Sequence, residues 1–146
     1  MTSSQPVHKG GPNARMILEA TLARRIVMLD GAMATMIQRR GFEERDFRGE
    51  RFRGHPRELK GDNDLLVLTQ PEAIAAIHEA YLEAGADIIE TNTFNGTATA
   101  QADYGLEPVV YEINAEAARI AKRAAAAWTA RTPDRPRFVA GAMGPT

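Results

Sequence analysis

Apolar residues in this chain occur in two patterns, short continuous runs and longer stretches at helical spacing, and the two alternate. The clearest run follows Gly85, which ends a helix: residues 86–95 read Ala-Asp-Ile-Ile-Glu-Thr-Asn-Thr-Phe-Asn. Adjacent β-branched Ile88 and Ile89 predict a strand over residues 88–94, buried on both faces as in a parallel sheet. Residues 26–29 and 138–140 are similar runs and predict a first and a third strand. Between the runs the period becomes that of a helix. Met16, Ile17, Ala20 and Ala23 mark one helix from an Asn13 N-cap to about Arg24, and Met33, Met36 and Ile37 mark another over residues 32–38. Ile74, Ile77, Tyr81 and Leu82 form the stripe of a third, with Thr69-Gln70-Pro71-Glu72 as its capping box. His78 lies beside that stripe and reads as a surface or partly packed imidazole. A short helical piece at 97–104 precedes a long helix from about Glu107, where Val110, Ile113, Ala117, Ile120, Ala124 and Trp128 share one face. Its many alanines suggest close packing on a sheet, with Trp128 as a core anchor.

The connections carry the chemistry. Asp30-Gly31 closes the first run, and such a pair commonly makes a hairpin turn. A hairpin needs an alternating strand next, whereas residues 32–38 have helical spacing, so Asp30 sits where a strand gives way to a helix. Residues 42–64 far exceed an ordinary βα connection of about 2–6 residues. They form a substantial loop, either one that closes over a site or a solvated excursion packing Phe47 and Phe52 on the rim. Arg45, Arg48, Arg51 and Arg53 alternate there with acids, a salt-bridged surface rather than a phosphate cradle.

Repeated βα units mean a parallel sheet, and ligands bind at the carboxyl ends of its strands. Glu90, Thr91, Asn92 and Thr93 crowd one such end with an acid, hydroxyls and an amide, where a mere turn would need a single Gly or Asn. No Gly-x-Gly-x-x-Gly follows the first strand and no phosphate-loop motif occurs, which counts against a nucleotide fold. The last strand runs into Gly141-Ala142-Met143-Gly144-Pro145-Thr146 with no helix after it. A full eight-fold βα barrel takes about 250 residues, so the expectation is the front part of something longer.

Composition narrows the partners. A formal net charge of −1 gives no electrostatic reason to expect nucleic acid or an anionic membrane. No apolar run approaches the ~20 residues of a membrane span, and residues 1–12 are polar, with none of a signal peptide's apolar core. They read as a disordered lead-in to one domain over residues 13–146, and a soluble, cytoplasmic protein is the expectation. Cysteine is absent, which excludes disulfides and thiolate metal sites within these residues; His8, His55 and His78 share no metal-binding spacing.

Four blocks, in order, carry a family resemblance: Asp30–Gln38, Leu59–Leu66, Ala84–Asn95 and Gly141–Thr146. Together they resemble the N-terminal homocysteine-binding domain of the cobalamin-dependent methionine synthases, from about residue 20 onward. Ala32 and Ala34 depart from it, standing where that family often has Gly. The resemblance implies an α/β fold, the N-terminal part of a (β/α)8 TIM barrel with about three to four βα units. It implies a zinc-bound homocysteine thiolate that takes a methyl group from methylcobalamin, recharged by 5-methyltetrahydrofolate on further domains of the same protein. A metal deprotonates a thiol whose ordinary pKa is about 8.5. The zinc cysteines of that family lie on later strands, so this chain, lacking them, is expected to be a catalytically silent fragment that holds the amino acid.

On that reading Asp30 is the candidate for the homocysteine ammonium, shared with Glu90 unless Glu90 is a structural acid. Backbone N–H groups at Gly31 and around Thr93 and Phe94 are candidates for the carboxylate. Asn92 and Thr93 offer side-chain hydrogen bonds to substrate or to the loop holding it, and Gly141 and Gly144 permit close approach of backbone to ligand. The nearest alternative is a cobalamin-independent zinc enzyme that methylates homocysteine from betaine or S-methylmethionine; the 42–64 loop and the 59–66 block favour the cobalamin enzyme. A stand-alone flavodoxin-like binding module and a truncation that does not fold by itself complete the alternatives.

Overall fold

The computed structural model describes residues 14–145; the expected lead-in over residues 1–12, the Asn13 N-cap and Thr146 lie outside them. The elements are α1 (Ala14–Leu22), α2 (Met33–Gln38), α3 (Glu44–Arg48), α4 (Leu66–Thr69), α5 (Pro71–Glu83), β1 (Ile88–Glu90), α6 (Ala98–Gln101), α7 (Val110–Arg131) and β2 (Phe138–Ala140). Short 3-10 turns at Asn63–Leu65 and Glu107–Val109 lead into α4 and α7.

β1 and β2 pair in parallel, with Ile88 opposite Phe138, Ile89 opposite Val139 and Glu90 opposite Ala140. On the other side of β1 the first apolar run makes only one parallel bridge, Leu29 to Ile88, where a strand over residues 26–29 was expected. Its backbone still follows β1: Asp87 N–H and Ile88 N–H donate to Met28 O, and Asp30 N–H donates to Ile88 O at 2.9 Å. Ile26, Met28 and Leu29 are each more than half exposed, so no packing on their side chains extends the ladder. β1 itself stops at Glu90 rather than at Phe94, because Thr93 N–H turns back to Thr91 O and Gly96 N–H to Thr93 O.

Helices α5 and α7 cover the sheet with the stripes their spacing predicts: Ile74, Ile77 and Leu82 from one, Ile113, Ala117, Ile120, Ala121 and Ala124 from the other, all buried. The small alanines let α7 approach closely, and Ile89 of β1 is fully buried among Leu82, Ala86 and Ala121. Gly85, at φ 108, ends the α5 segment in a conformation side chains rarely adopt.

Three local expectations are corrected. Thr69 does not cap α5: it ends α4, its hydroxyl is buried without a partner, and Gln70 is the N-cap with no side-chain hydrogen bond. His78 is neither surface nor partly packed but fully buried, with neither ring nitrogen hydrogen-bonded, and burial lowers its pKa to about 4. The 42–64 loop does not leave Phe47 on the rim. Phe47 and Leu59 belong to the main core, with Phe42 and Phe52 packed against it. The loop is folded around Glu44, which accepts Arg48 Nε and the backbone N–H groups of Leu59 and Lys60, while Arg48 donates to the carbonyls of His55 and Arg57. Several of its other charges do pair, Arg51 with Glu112, Arg53 with Glu50 and Lys60 with Glu43. Trp128 packs against the cluster that Leu82, Ala86, Ile89 and Ala121 form, under the Arg131 guanidinium, 5.0 Å from its ring, and is only partly buried.

Candidate functional site

At the carboxyl ends of these strands lies a cavity of about 310 Å³, and the residues singled out in the sequence meet there. Asp30, Gly31, Glu90, Asn92, Thr93 and Phe94 all line it, together with Ala32, Met33, Ala34, Asn63, Asp64, Thr91, Asn95 and Ala142. Of the expected site residues only Gly141 and Gly144 are not on its wall.

Asp30 is placed by the backbone of its neighbour: both carboxylate oxygens accept the Glu90 N–H at 3.1 Å. Burial pushes its pKa up to about 6; that hydrogen bond opposes the rise, and the Glu90 charge adds to it. Asp64, reaching in from the long loop, is a third acid on the cavity wall, and burial, with Asp62 close by, raises it to about 7. Among the described residues none that lines the cavity is basic. A carboxyl group raised by burial with no cation beside it, as Asp30 is, forms a receptor for a positive group, because an arriving ammonium supplies the charge partner it lacks.

The polar residues after β1 are mostly committed to one another. Ala142 N–H donates to Thr91 Oγ1 at 3.0 Å, and Thr93 Oγ1 donates to Ala142 O at 2.8 Å. Since the Thr93 proton is thereby used, the 2.7 Å contact between the two hydroxyls runs from Thr91 to Thr93, closing a ring of bonds between the two strand ends. The Asn92 amide donates to Asn63 O at 2.7 Å. Of the two uses open to Asn92 and Thr93, these bonds realise the second, holding the loops. The Thr93 N–H, a candidate for a substrate carboxylate, is already taken by Thr91 O. At Gly144 the close approach is to protein: a Cβ there would collide with the carbonyl oxygen of Phe94. Gly141 has open space around it.

Sequence reasoning missed Asn63, Asp64 and Thr91. Thr91 stood inside the polar run, but Asn63 and Asp64 reach the site only through the return of a loop whose path no local pattern records. For a metal these residues are a poor fit: the sequence has no cysteine, and among the described residues no three His, Cys, Asp or Glu side chains could hold an ion. Nor is any described helix long and apolar enough to cross a membrane.

Two solved structures of the homocysteine methyltransferase MmuM from Escherichia coli superpose on the chain with a TM-score of 0.67. The metallated form is 28% identical and the oxidized form 29%, each over 88% of this chain. The chain spans 41% and 40% of their respective lengths, so its α/β arrangement matches part of their fold. The family model for homocysteine S-methyltransferase matches residues 27–146, which include every residue of the cavity wall, and the chain therefore belongs to the homocysteine S-methyltransferase family.

Proposed function

We propose that these residues form the amino-acid-binding part of an enzyme that transfers a methyl group to the sulfur of homocysteine, giving methionine. The observation that carries the reading is the acid-lined cavity at the strand ends, with Asp30 on its wall and no base among its described lining residues. Asp30 receives the substrate ammonium; Glu90 supplies additional negative charge at the same strand end. The backbone N–H of Gly31, next to Asp30 on the cavity wall, receives the carboxylate. Phe94, more than half exposed at the cavity wall, offers an apolar surface to the substrate's methylenes. The ring through Thr91, Thr93 and Ala142 keeps these groups in register.

Activation of the thiol needs a group that these residues do not supply. The long 42–64 loop and the resemblance of the 59–66 block support methylcobalamin, recharged by 5-methyltetrahydrofolate, as the methyl source. Betaine or S-methylmethionine is the alternative. The test is methionine formation by the polypeptide expressed from its own gene, with homocysteine and each donor in turn. Methionine from methylcobalamin alone supports the reading in full. Methionine from S-methylmethionine or betaine alone keeps the homocysteine site and replaces the donor. Absence of homocysteine binding by calorimetry overturns the reading.

A further inference from the structure

The long loop that packs Phe47 into the core returns at residues 62–64, and there it grips the wall of the cavity. Asp64 Oδ2 accepts the backbone N–H of Asn95 at 2.6 Å. Gln101, fully buried, donates through Nε2 both to Asp62 Oδ1 at 3.0 Å and to Asn95 O at 3.3 Å. One residue earlier in the wall, the Phe94 carbonyl lies close against Gly144, where an added Cβ would collide with it. Asn92 is tied to the same loop through Asn63 O. The peptide groups of Asn95 are thus fixed at the N–H by Asp64 and at the carbonyl by Gln101. The segment they belong to carries Asn92, Thr93 and Phe94 along the cavity.

We propose that Asp64 is a positioning residue for the amino-acid substrate, acting through the Asn95 amide to hold the Asn92–Asn95 wall at its working distance from Asp30. A turn that only had to be capped would need no acid at 2% exposure, where a carboxyl group is costly to bury. The short bond to a backbone N–H is the compensation, and it fixes a segment of the cavity wall. Asp64 acts on substrate through that wall, so the hydrogen bond matters and the negative charge does not.

This rests on the homocysteine reading above. The experiment compares Asp64→Leu with Asp64→Asn in the polypeptide expressed from its own gene, reading KM for homocysteine against kcat. Asparagine keeps an oxygen for the Asn95 N–H, and leucine does not. Asp64→Leu is expected to raise KM about tenfold with kcat little changed, and Asp64→Asn to stay within about threefold of wild type. Hydrogen exchange at the Asn95 amide should quicken in the first variant and not in the second. If Asp64→Leu yields no folded protein, Asp64→Ser keeps the position polar but falls short of the Asn95 amide, and the same KM rise is expected. An unmoved KM in Asp64→Leu or Asp64→Ser overturns the proposal. So does an Asp64→Asn variant as impaired as these, because the charge itself would then be in use. A wild type that neither binds nor methylates homocysteine removes the underlying reading instead, and that outcome is visible before any variant is made.

Discussion

Asp87 and Glu90 stand at opposite ends of β1, about 10 Å apart along the chain, and the acids at the two ends are treated in opposite ways. At the amino end Asp87 is fully buried and surrounded by donors: both Arg25 guanidinium nitrogens at 2.7 and 2.9 Å, Arg135 Nε at 2.8 Å and Met28 N–H at 3.0 Å. Burial alone would raise its pKa, but the two arginines and the amide hold the carboxyl far below the usual range. At the carboxyl end Asp30 and Asp64 are raised by burial, and no basic residue lines their cavity among those described. At the amino end the charge is spent within the protein; at the carboxyl end Asp64 is held by the Asn95 amide and Asp30 keeps its charge available. That is the division between a stability face and a ligand face expected of parallel βα architectures.

The strongest way to break the comparison is to remove the satisfied acid. Asp87→Ala leaves two guanidinium groups and the Met28 N–H without their acceptor. Both arginine side chains are about two-fifths exposed and can rehydrate, so a loss of about 3 kcal/mol is expected, at the lower end for a broken buried pair. Urea unfolding measures it, and the homocysteine KM should not move. A KM rise in a variant of unchanged stability would erase the distinction between the two ends.

Removing the available acid should do the reverse. Asp30→Asn keeps an oxygen for the Glu90 N–H and loses the charge meant for an ammonium. Homocysteine affinity is expected to fall about 10- to 100-fold by titration calorimetry, with stability unchanged or slightly higher. Unaltered affinity would show that the ammonium is bound elsewhere.

The two ends also have opposite pH signatures. The depressed pKa of Asp87 gives stability that is complete above its unfolded value of about 4 and is lost as the pH falls through its folded value. Asp30 and Asp64 titrate natively at about 6 and about 7, so from about pH 4 upward the native state binds more protons than the unfolded one. Their contribution therefore declines as pH rises through that window. Urea unfolding between pH 4.5 and 8 should show this decline in the wild type, and in the Asp30→Asn, Asp64→Asn double variant the decline should be gone, leaving the rise up to about pH 6.5 that neutral, buried His78 contributes. An identical slope in both would mean that neither carboxyl is perturbed in the fold.

Which parts of this arrangement were legible in the sequence follows from range. The stripes of α5 and α7 and the polar density after Ile89 are local patterns, and each reads correctly because periodicity and strand-end composition need no distant partner. Asp87 reads as nothing special beside Ala86, since its partners Arg25 and Arg135 lie 62 and 48 residues away. Asp64 is hidden in the same way, 31 residues from the amide it holds. The reading that put Phe47 on the rim, one of two left open for the loop, fails because charge alternation around it marks the loop's outer surface and says nothing of the single side turned inward. Thr69 failed as a cap because the preceding apolar residues Leu66 and Val67 had already formed a helical turn of their own, buried in the core.

The gentlest probe adds one methyl group at the ligand end. A Cβ at Gly144 would overlap the Phe94 carbonyl oxygen, backbone against backbone, where no rotamer change can relieve it. Either the 141–144 segment or the Thr93–Asn95 turn must shift, and the first of these is tied to Thr91 and Thr93 through Ala142. Gly144→Ala is therefore expected to cost about 1 kcal/mol, as a mild overpacking, and to raise the homocysteine KM a few-fold. The equivalent change in open space, Gly141→Ala, should do neither, because nothing lies within 4 Å of its added carbon. If Gly141→Ala and Gly144→Ala prove equally harmless in both measurements, the wall of the cavity yields easily. The ligand end would then be defined by its uncompensated acids alone, without the rigidity that the ring through Thr91, Thr93 and Ala142 implies.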